Sequence, residues 1–293
     1  MEWIKKSPIL GDPAGFWTSL GAIALAMLFA GCAGMRKPIS CGLQKACAFP
    51  DCSTEICNIY GVNENPFPIT MGLDVKSKNM VGYRNDDSIY VLAPKEKRVL
   101  KTMRPRYLAT GFSLGVAATW AEGSYKAVPD SNSVYSLPYG KGRRYRVSQG
   151  YHGKETHQGT WIYSLDFNMP EGDTVRAAMD GIVAMIVDSN SRGCFDTTCT
   201  RYSNYVSVLH RDGTFGNYAH LKQRGVMVAV GDTVAKGRAI GLSGATGRVT
   251  GPHLHFMVVR CKNAREYETM PIRFQTREGT FRGLKEGFEF TAK

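Results

Sequence analysis

The sequence predicts a mainly β protein in which a small β-sandwich-like domain precedes an antiparallel β-sheet domain. Short runs of β-branched and aromatic residues recur along the chain, and no stretch has the roughly ten-residue amphipathic pattern of a long helix. The tetrapeptide Gly-Asp-Thr-Val occurs at residues 172–175 and again at 231–234, and another β-rich run follows each copy. Such turns are typical of antiparallel sheets. The 293 residues suffice for one large domain or two modest ones.

Residues 1–31 are predicted to be a signal peptide, because two lysines precede an apolar segment of h-region length, residues 20–30, that ends in small residues. Residues 29–32, Phe-Ala-Gly-Cys, resemble the lipobox of bacterial lipoproteins, with Phe where Leu is usual, and predict a lipidated Cys32. The alternative is an uncleaved N-terminal membrane anchor, because the uncharged stretch is just long enough to span a bilayer. Both interpretations place the rest of the chain outside the cytoplasm. We expect a cell-envelope protein, lipid-anchored on the periplasmic side of the outer membrane.

The eight cysteines agree with export. Four of them lie in a Cys-rich N-terminal segment, residues 32–62: Cys41, Cys47, Cys52 and Cys57. Their spacing differs from that of zinc ribbons and predicts two disulfides in a small knot, with three pairings open. Cys194 and Cys199 bracket a short loop and are predicted to form a local disulfide. If Cys32 is lipidated, Cys261 is left as an odd thiol, either free and buried or paired with a cysteine assigned elsewhere.

The other predicted segments follow from composition and β-like runs. Residues 63–132 are predicted to form the small β domain, which would hold the following domain at a distance or cover its groove. Residues 133–270 form the larger antiparallel domain, and the charged tail, residues 271–293, is assigned no chemistry. The net charge of +12 indicates an acidic partner or surface. No nucleic-acid-binding motif is present, so a wall polymer, an anionic lipid surface or a merely solvated basic surface is expected instead.

Candidate chemistry centres on residues 251–256, Gly-Pro-His-Leu-His-Phe, which begin an apolar β-branched run. Residues two apart on a strand point to the same face, so His253 and His255 can enter one site together. A single histidine on an apolar strand is more often a hydrogen-bonded core residue than a ligand. Here all six histidines lie between His152 and His255. Catalytic zinc takes three protein ligands from histidine and carboxylate, with one position open.

Four stretches of the chain together resemble one known family: residues 157–167, 170–183, 218–221 and 241–256. They are similar to the LytM/lysostaphin-type peptidases, the M23 zinc metallopeptidases of cell-wall turnover, over residues 150–260. The resemblance implies a LytM-like fold, a duplicated hybrid-like half-sandwich, for residues 133–270. It also implies one Zn²⁺ per chain with these ligands: His157, Asp166 and His255. The two catalytic histidines that it implies are His220 and His253.

One spacing departs from the best-known members of the family. They place the aspartate four residues after the first histidine, whereas nine separate His157 from Asp166. This longer spacing resembles a subset of the family with an inserted loop. His152 is the competing candidate for the first ligand, and His210 is interpreted as structural because it ends a predicted strand.

The expected activity is zinc-dependent endopeptidase cleavage of the peptide cross-links of bacterial peptidoglycan. The chain has no G-x-S-x-G elbow and no catalytic-cysteine signature, which argues against a covalent nucleophile. The alternative is a catalytically silent LytM-like binding module that regulates other wall hydrolases. A regulatory protein partner that relieves latency and cleavage of another extracellular protein are further hypotheses.

Overall fold

The structure, a computed structural model, describes Cys41, residues 45–84 and residues 88–293, together with the backbone of residues 26–28. Apart from that short strand, the predicted signal peptide and the lipidation site at Cys32 lie outside the described residues. The prediction of a mainly β fold is confirmed. In the described residues helical structure is limited to two 3-10 helices, Gly159–Trp161 and Thr197–Tyr202. Nowhere in this part of the chain is there a helix with the length and apolar character needed to cross a membrane.

The described N-terminal half forms two four-stranded antiparallel sheets, in the orders β1-β8-β4-β6 and β2-β3-β7-β5. Their strands are β1 (Ala26–Leu28), β2 (Ala46–Cys52), β3 (Cys57–Asn63), β4 (Ile69–Lys78), β5 (Met80–Arg84), β6 (Ile89–Leu92), β7 (Lys97–Pro105) and β8 (Ser113–Glu122). Every second residue of β2 and β3 is buried at the start of each strand, so both present an apolar face to one core.

The Cys-rich segment is therefore part of this β structure rather than a separate knot. β2 and β3 form a hairpin in which Cys52 lies directly opposite Cys57, and β3 also pairs with β7. The disulfides join Cys41 to Cys47 and Cys52 to Cys57, which is the sequential pairing of the three left open. The predicted Cys194–Cys199 disulfide is present as well. Cys261 is buried and is the free thiol among the described cysteines.

The C-terminal half contributes sixteen strands. They are β9 (Val134–Ser136), β10 (Arg144–Gln149), β11 (Leu165–Phe167), β12 (Thr174–Arg176), β13 (Gly181–Val187), β14 (Gly193–Cys194), β15 (Tyr205–Leu209), β16 (Phe215–Ala219), β17 (Thr233–Val234), β18 (Ala239–Leu242), β19 (Gly247–Arg248), β20 (Leu254–Cys261), β21 (Tyr267–Thr269), β22 (Arg273–Gln275), β23 (Thr280–Arg282) and β24 (Glu289–Thr291). Nine form one antiparallel sheet in the order β17-β13-β15-β16-β20-β11-β10-β24, with β21 paired to β20. The repeated Gly-Asp-Thr-Val motifs lead into β12 and β17.

The two faces of this nine-stranded sheet are both buried, which explains why β20 is apolar at nearly every position. Phe256 and Val258 enter a core shared with the C-terminal strands, where Phe274 of β22 is fully buried. Met257 and Val259 point the other way and enter a core shared with the N-terminal half. The tail after residue 271 is thus structural, because its strands close the first core.

The N-terminal half packs directly against the second face of the sheet. Phe67 stacks edge-on against Phe215 of β16, with ring centroids 6.2 Å apart. The backbone N–H of Glu122, at the end of β8, donates to Tyr267 Oη of β21 at 2.5 Å. The prediction that this domain stands at a distance is not what the structure shows, since one apolar core joins it to the sheet. His255 lies on this same face, toward the opposite end of β20.

Candidate metal centre

Two neighbouring strands place a carboxylate beside an imidazole. Asp166 of β11 lies directly opposite His255 of β20. Leu165 and Phe167 point into the first apolar core, so Asp166 and His255 lie on the other face of the sheet. The strand alternation therefore aims them at one point. His255 Nδ1 lies 2.8 Å from Asp166 Oδ1. Residues Asp166 and His255, separated by most of the domain in sequence, become cross-strand neighbours.

His157 approaches the same carboxylate from the loop between β10 and β11. Its Nδ1 lies 2.8 Å from the carbonyl oxygen of Gly150, and its Nε2 lies 3.3 Å from Asp166 Oδ2. The nine-residue spacing is accommodated by a turn that includes the 3-10 helix Gly159–Trp161. His152 is not at this site: its φ is 60°, and its ring packs edge-on against Tyr163 at 5.5 Å. The structure brings His157, and not His152, to Asp166.

Gln149, which the sequence interpretation missed, supports both the loop and the carboxylate. Its Nε2 donates to Asp166 Oδ2 at 2.9 Å and to Thr156 Oγ1 at 2.7 Å. Its Oε1 accepts the backbone N–H groups of Glu155 and Thr156 at 3.1 and 2.9 Å. Gly153 permits this packing, because a Cβ there would lie 2.3 Å from Gln149 Cγ. No local sequence pattern marks this glutamine, since its role arises from the pairing of β10 with β11.

The tautomers of the histidines test whether these residues fit a metal ion. The Nδ1–H of His157 donates to a backbone carbonyl, so Nε2 carries a lone pair and faces a carboxylate oxygen. Within the described residues, the buried Nε2 makes no well-formed hydrogen bond. One ligand atom each from His157, Asp166 and His255 lies within 4.8 Å of the others. Two imidazoles and a carboxylate are a donor set that zinc takes at catalytic sites, so these residues fit the ion.

The pKa shifts in this cluster indicate that a positive charge is favoured beside the Asp166 carboxylate. Burial alone would raise the pKa of Asp166, but the contacts with the His157 and His255 rings outweigh it and hold that pKa well below its usual range. For His157, burial lowers the pKa, yet the contacts with Asp166 raise it overall. Burial lowers the pKa of His255, so this ring favours the neutral form that a metal ligand requires. A proton or a cation beside His157 Nε2 would satisfy the carboxylate.

His220 and His253 lie next to this cluster, with ring centroids 4.7 Å apart. His220 Nδ1–H donates to the carbonyl oxygen of Thr246 at 2.7 Å, and the residue has a left-handed backbone with φ 63°. His253 Nδ1–H donates to the carbonyl oxygen of Gly251 at 2.9 Å. Burial, followed by the neighbouring His253 and His255, lowers the pKa of His220 well below its usual range. His220 is therefore held as neutral imidazole.

These residues line one cavity. The lining residues include Asp166, His255, Met257, His220, His253 and Trp161. The five histidine and aspartate positions predicted as site residues, His157, Asp166, His220, His253 and His255, come together in one cluster. His210 lies elsewhere, with Nδ1 2.8 Å from the carbonyl oxygen of Asp180.

Comparison with known proteins assigns the family. Residues 160–267 match the model of Peptidase family M23. This part of the chain is an M23 peptidase domain. The matched segment contains Asp166, His220, His253 and His255, whereas His157 precedes it. The matched segment thus contains most strands of the antiparallel sheet and most of the residues that line the cavity, whereas β10 and β24 lie outside it.

Several relatives of the M23 domain are wall peptidases by name. Peptidoglycan DD-endopeptidase ShyA of Vibrio cholerae serotype O1 is 34% identical over 120 residues, covering 40% of this chain and 25% of that protein. DD-carboxypeptidase/endopeptidase Mpg of Neisseria meningitidis serogroup B is 33% identical over 135 residues, covering 46% of this chain and 26% of that protein. The chain spans about a quarter of the length of these curated relatives. The catalytic domain of lysostaphin from Staphylococcus simulans, a solved structure, is 27% identical with a TM-score of 0.32, covering 43% of this chain and 87% of that one.

Proposed function

We propose that the chain is a zinc-dependent endopeptidase that hydrolyses peptide cross-links of bacterial peptidoglycan outside the cytoplasm. The observation that carries the proposal is the convergence of three metal-type ligands, His157, Asp166 and His255, with two further histidines beside a cavity that is lined mostly by residues of the M23 match. Relatives named as peptidoglycan endopeptidases support the substrate class. The three disulfides agree with an oxidising compartment.

In this proposal His157 Nε2, an oxygen of Asp166 and His255 Nδ1 hold the ion. Zinc in such a site supplies Lewis acidity and makes a water molecule nucleophilic near neutral pH. The carbonyl of Gly150 fixes the tautomer of His157, and Gln149 holds the Asp166 carboxylate in orientation. These partners keep the ligand set organised without any contribution from the substrate.

The two remaining histidines move and stabilise charge. His220 is neutral, and its Nδ1–H is committed to the Thr246 carbonyl, so its Nε2 is the nitrogen that accepts a proton from the attacking water. His253 lies at the side of the cavity with Nδ1–H committed to the Gly251 carbonyl. We assign it the stabilisation of charge that develops on the substrate carbonyl.

The test is cleavage of purified peptidoglycan by the full chain with its disulfides formed. Fragments released with and without a zinc chelator are identified by mass spectrometry. We expect new peptide termini that disappear with chelator and return when zinc is added, and the matched His253→Ala variant should release none. An absence of cleavage by metal-loaded, folded protein would contradict the proposal and favour the regulatory binding module.

The domain limits and the membrane attachment belong to the same proposal. We propose residues 63–132 as the N-terminal β domain, which the Cys-rich hairpin of β2 and β3 completes, and 133–270 as the core of the peptidase domain, with the strands after residue 271 completing its apolar core. Anchoring through a lipid on Cys32 follows from the lipobox-like sequence and from the proposed wall substrate.

A further inference from the structure

The walls of the cavity differ in charge. Glu155 and Thr156 line it from the loop after β10, whereas Phe195 and Arg248 line it from the loop before β15 and from β19. Among the described lining residues, Arg248 is the one lysine or arginine. A peptide bound beside the catalytic cluster therefore meets the guanidinium of Arg248 from one part of the lining and the carboxylate of Glu155 from another.

The wall that carries Arg248 is fixed by the backbone and by a disulfide. β14 and β19 pair in parallel, with Cys194 beside Arg248, and the Cys194–Cys199 disulfide closes the loop. The N–H of Val249 donates to the carbonyl oxygen of Cys194 at 2.9 Å. Gly193 is required for this approach, because a Cβ there would lie 1.9 Å from the carbonyl oxygen of Ala245. Arg248 is thus presented by a rigid support.

Contacts with Phe195 orient the Arg248 side chain. Its Nε donates to the carbonyl oxygen of Phe195 at 3.1 Å, and its guanidinium carbon lies 5.4 Å from the centroid of the Phe195 ring. Within the described residues, no carboxylate lies within ion-pair distance of Arg248. With Nε committed, the edge formed by the two Nη groups is the edge that a ligand carboxylate can engage in bidentate fashion.

The surrounding loop adds further positive charge. Arg192 and Arg201 lie over the Tyr202 ring, at 5.1 and 4.9 Å from its centroid. The segment between β13 and β15 has two acidic residues, Asp188 and Asp196, and the Asp196 carboxylate accepts the backbone N–H of Thr198 at 2.8 Å. Together with Arg248, the arginines outnumber these acidic residues by three to two. The local potential on this flank is therefore positive and favours an anionic substrate group.

We propose that Arg248 is a specificity-determining residue that binds a free carboxylate of the substrate peptide next to the scissile bond. The inference rests on the proposed peptidase function and deepens it. Cross-linked peptides in which this carboxyl group is free are preferred substrates, and peptides in which it is amidated are poor ones. The preference arises in the cavity wall and not in the metal ligands.

The test compares two synthetic cross-linked peptides that differ only in whether the carboxyl group beside the cross-link is free or amidated. We expect kcat/KM to be roughly 10- to 100-fold higher for the free acid, mainly through KM, because a charge-assisted bidentate contact is lost with the amide. Arg248→Gln should lower kcat/KM for the acid by that factor and leave the amide unchanged. Arg248→Lys, which keeps the charge, should recover part of the preference.

The matched control is Arg211→Gln, which removes an exposed arginine that neither lines the cavity nor belongs to the loop beside Arg248, and it should keep the preference. Equal kcat/KM for acid and amide in the unaltered protein would overturn the inference, as would equal losses for both peptides in Arg248→Gln. Binding of the two peptides to the His253→Ala protein, measured by calorimetry, separates this inference from the proposed function. If the acid binds more tightly than the amide and the additional Arg248→Gln change abolishes this difference, the inference is supported even without cleavage. Equal binding of the two peptides would overturn the inference.

Discussion

His157 and His210 are both buried histidines, and their nearest backbone contacts are alike. In each, Nδ1 lies 2.8 Å from a backbone carbonyl oxygen, that of Gly150 for His157 and that of Asp180 for His210. In each, Nε2 is buried without a well-formed hydrogen bond among the described residues. The difference is the group that Nε2 faces. For His157 it is a carboxylate oxygen at 3.3 Å, whereas His210 Nε2 occupies the space beside Gly216, where an added Cβ would lie 2.8 Å from it.

The consequence is that the pKa values of the two rings shift in opposite directions, although their backbone contacts are alike. Burial lowers the pKa of both rings, but Asp166 raises that of His157 overall, while the pKa of His210 stays lowered. A buried imidazole becomes a candidate metal ligand where other ligand atoms converge on its free lone pair. Burial and a fixed tautomer alone do not identify a metal ligand, because both His157 and His210 have these properties.

The largest expected effect is on metal binding, and it tests this comparison directly. His157→Ala should lower zinc affinity by more than the roughly 100-fold that loss of an outer-shell partner causes, because a direct ligand is removed. His210→Ala is the matched control and should retain one equivalent of zinc. Metal content after dialysis and competition with a chromophoric chelator measure both. If His152→Ala removes the metal while His157→Ala does not, the first ligand is misassigned.

The next effect separates ligands from proton-handling residues within the cluster. His253→Ala should keep the metal and lower turnover by roughly 10²- to 10⁴-fold, since it removes a group that acts on the reacting carbonyl and not on the ion. The rate of fragment release and the bound zinc are measured on the same sample. Loss of zinc in this variant, with zinc retained in His255→Ala, would mean that the roles of the two histidines are exchanged.

A third buried group extends the comparison to stability. Glu122 is buried between the N-terminal half and the sheet, and its Oε2 has no hydrogen-bond partner among the described residues. Burial raises its pKa from 4.5 to about 7. The folded state therefore holds a proton that the unfolded state releases, so stability is full below pH 4.5 and falls as the pH rises to about 7.

Glu122→Gln should accordingly stabilise the protein at pH 8 by up to ~3 kcal/mol and have little effect at pH 4.5, because the amide carries no charge at either pH. Urea unfolding at the two pH values measures the difference. Glu55→Gln, at an exposed position, is the control and should show no such pH dependence. An equal gain at both pH values would contradict the assigned cause.

Much of the site follows from the period of a strand. His253 and His255 precede an apolar run, and a two-residue period alone puts them on one face. The pairing of Asp166 with His255 does not follow in this way, because register between strands far apart in the chain is set by tertiary packing. Gln149 escaped prediction for the same reason: nothing around it in sequence marks it as a partner of Asp166.

The division of the chain was harder to predict than its class. β-branched runs and turn motifs indicated a mainly β protein, and the local Cys194–Cys199 disulfide follows from short spacing. The Cys-rich segment is predicted to be a small knot, because four cysteines lie close together between residues 41 and 57. In the structure, alternate residues of β2 and β3 are buried, and the segment forms one side of a sheet. This arrangement depends on the pairing of β3 with β7, which is distant in sequence.

The smallest expected effect concerns His210 itself and returns to the comparison with His157. His210→Phe keeps a ring against Tyr135 and removes the hydrogen bond to the Asp180 carbonyl, so it should destabilise the protein by about 1 kcal/mol at pH 7.5. Because burial lowers the pKa of His210 in the folded state, the unfolded state takes up the proton first, and the native protein loses stability as the pH falls below about 6.5. Phenylalanine cannot titrate, so the difference in the free energy of unfolding between the unaltered protein and His210→Phe should become smaller or change sign at pH 5.5. The measurement is urea unfolding of both proteins at the two pH values. Because both contain the other five histidines, the contributions of those residues cancel in the difference between their free energies of unfolding. If this difference in unfolding free energy instead grows at pH 5.5, protonated His210 has a negatively charged partner in the folded protein, and His210 then resembles His157.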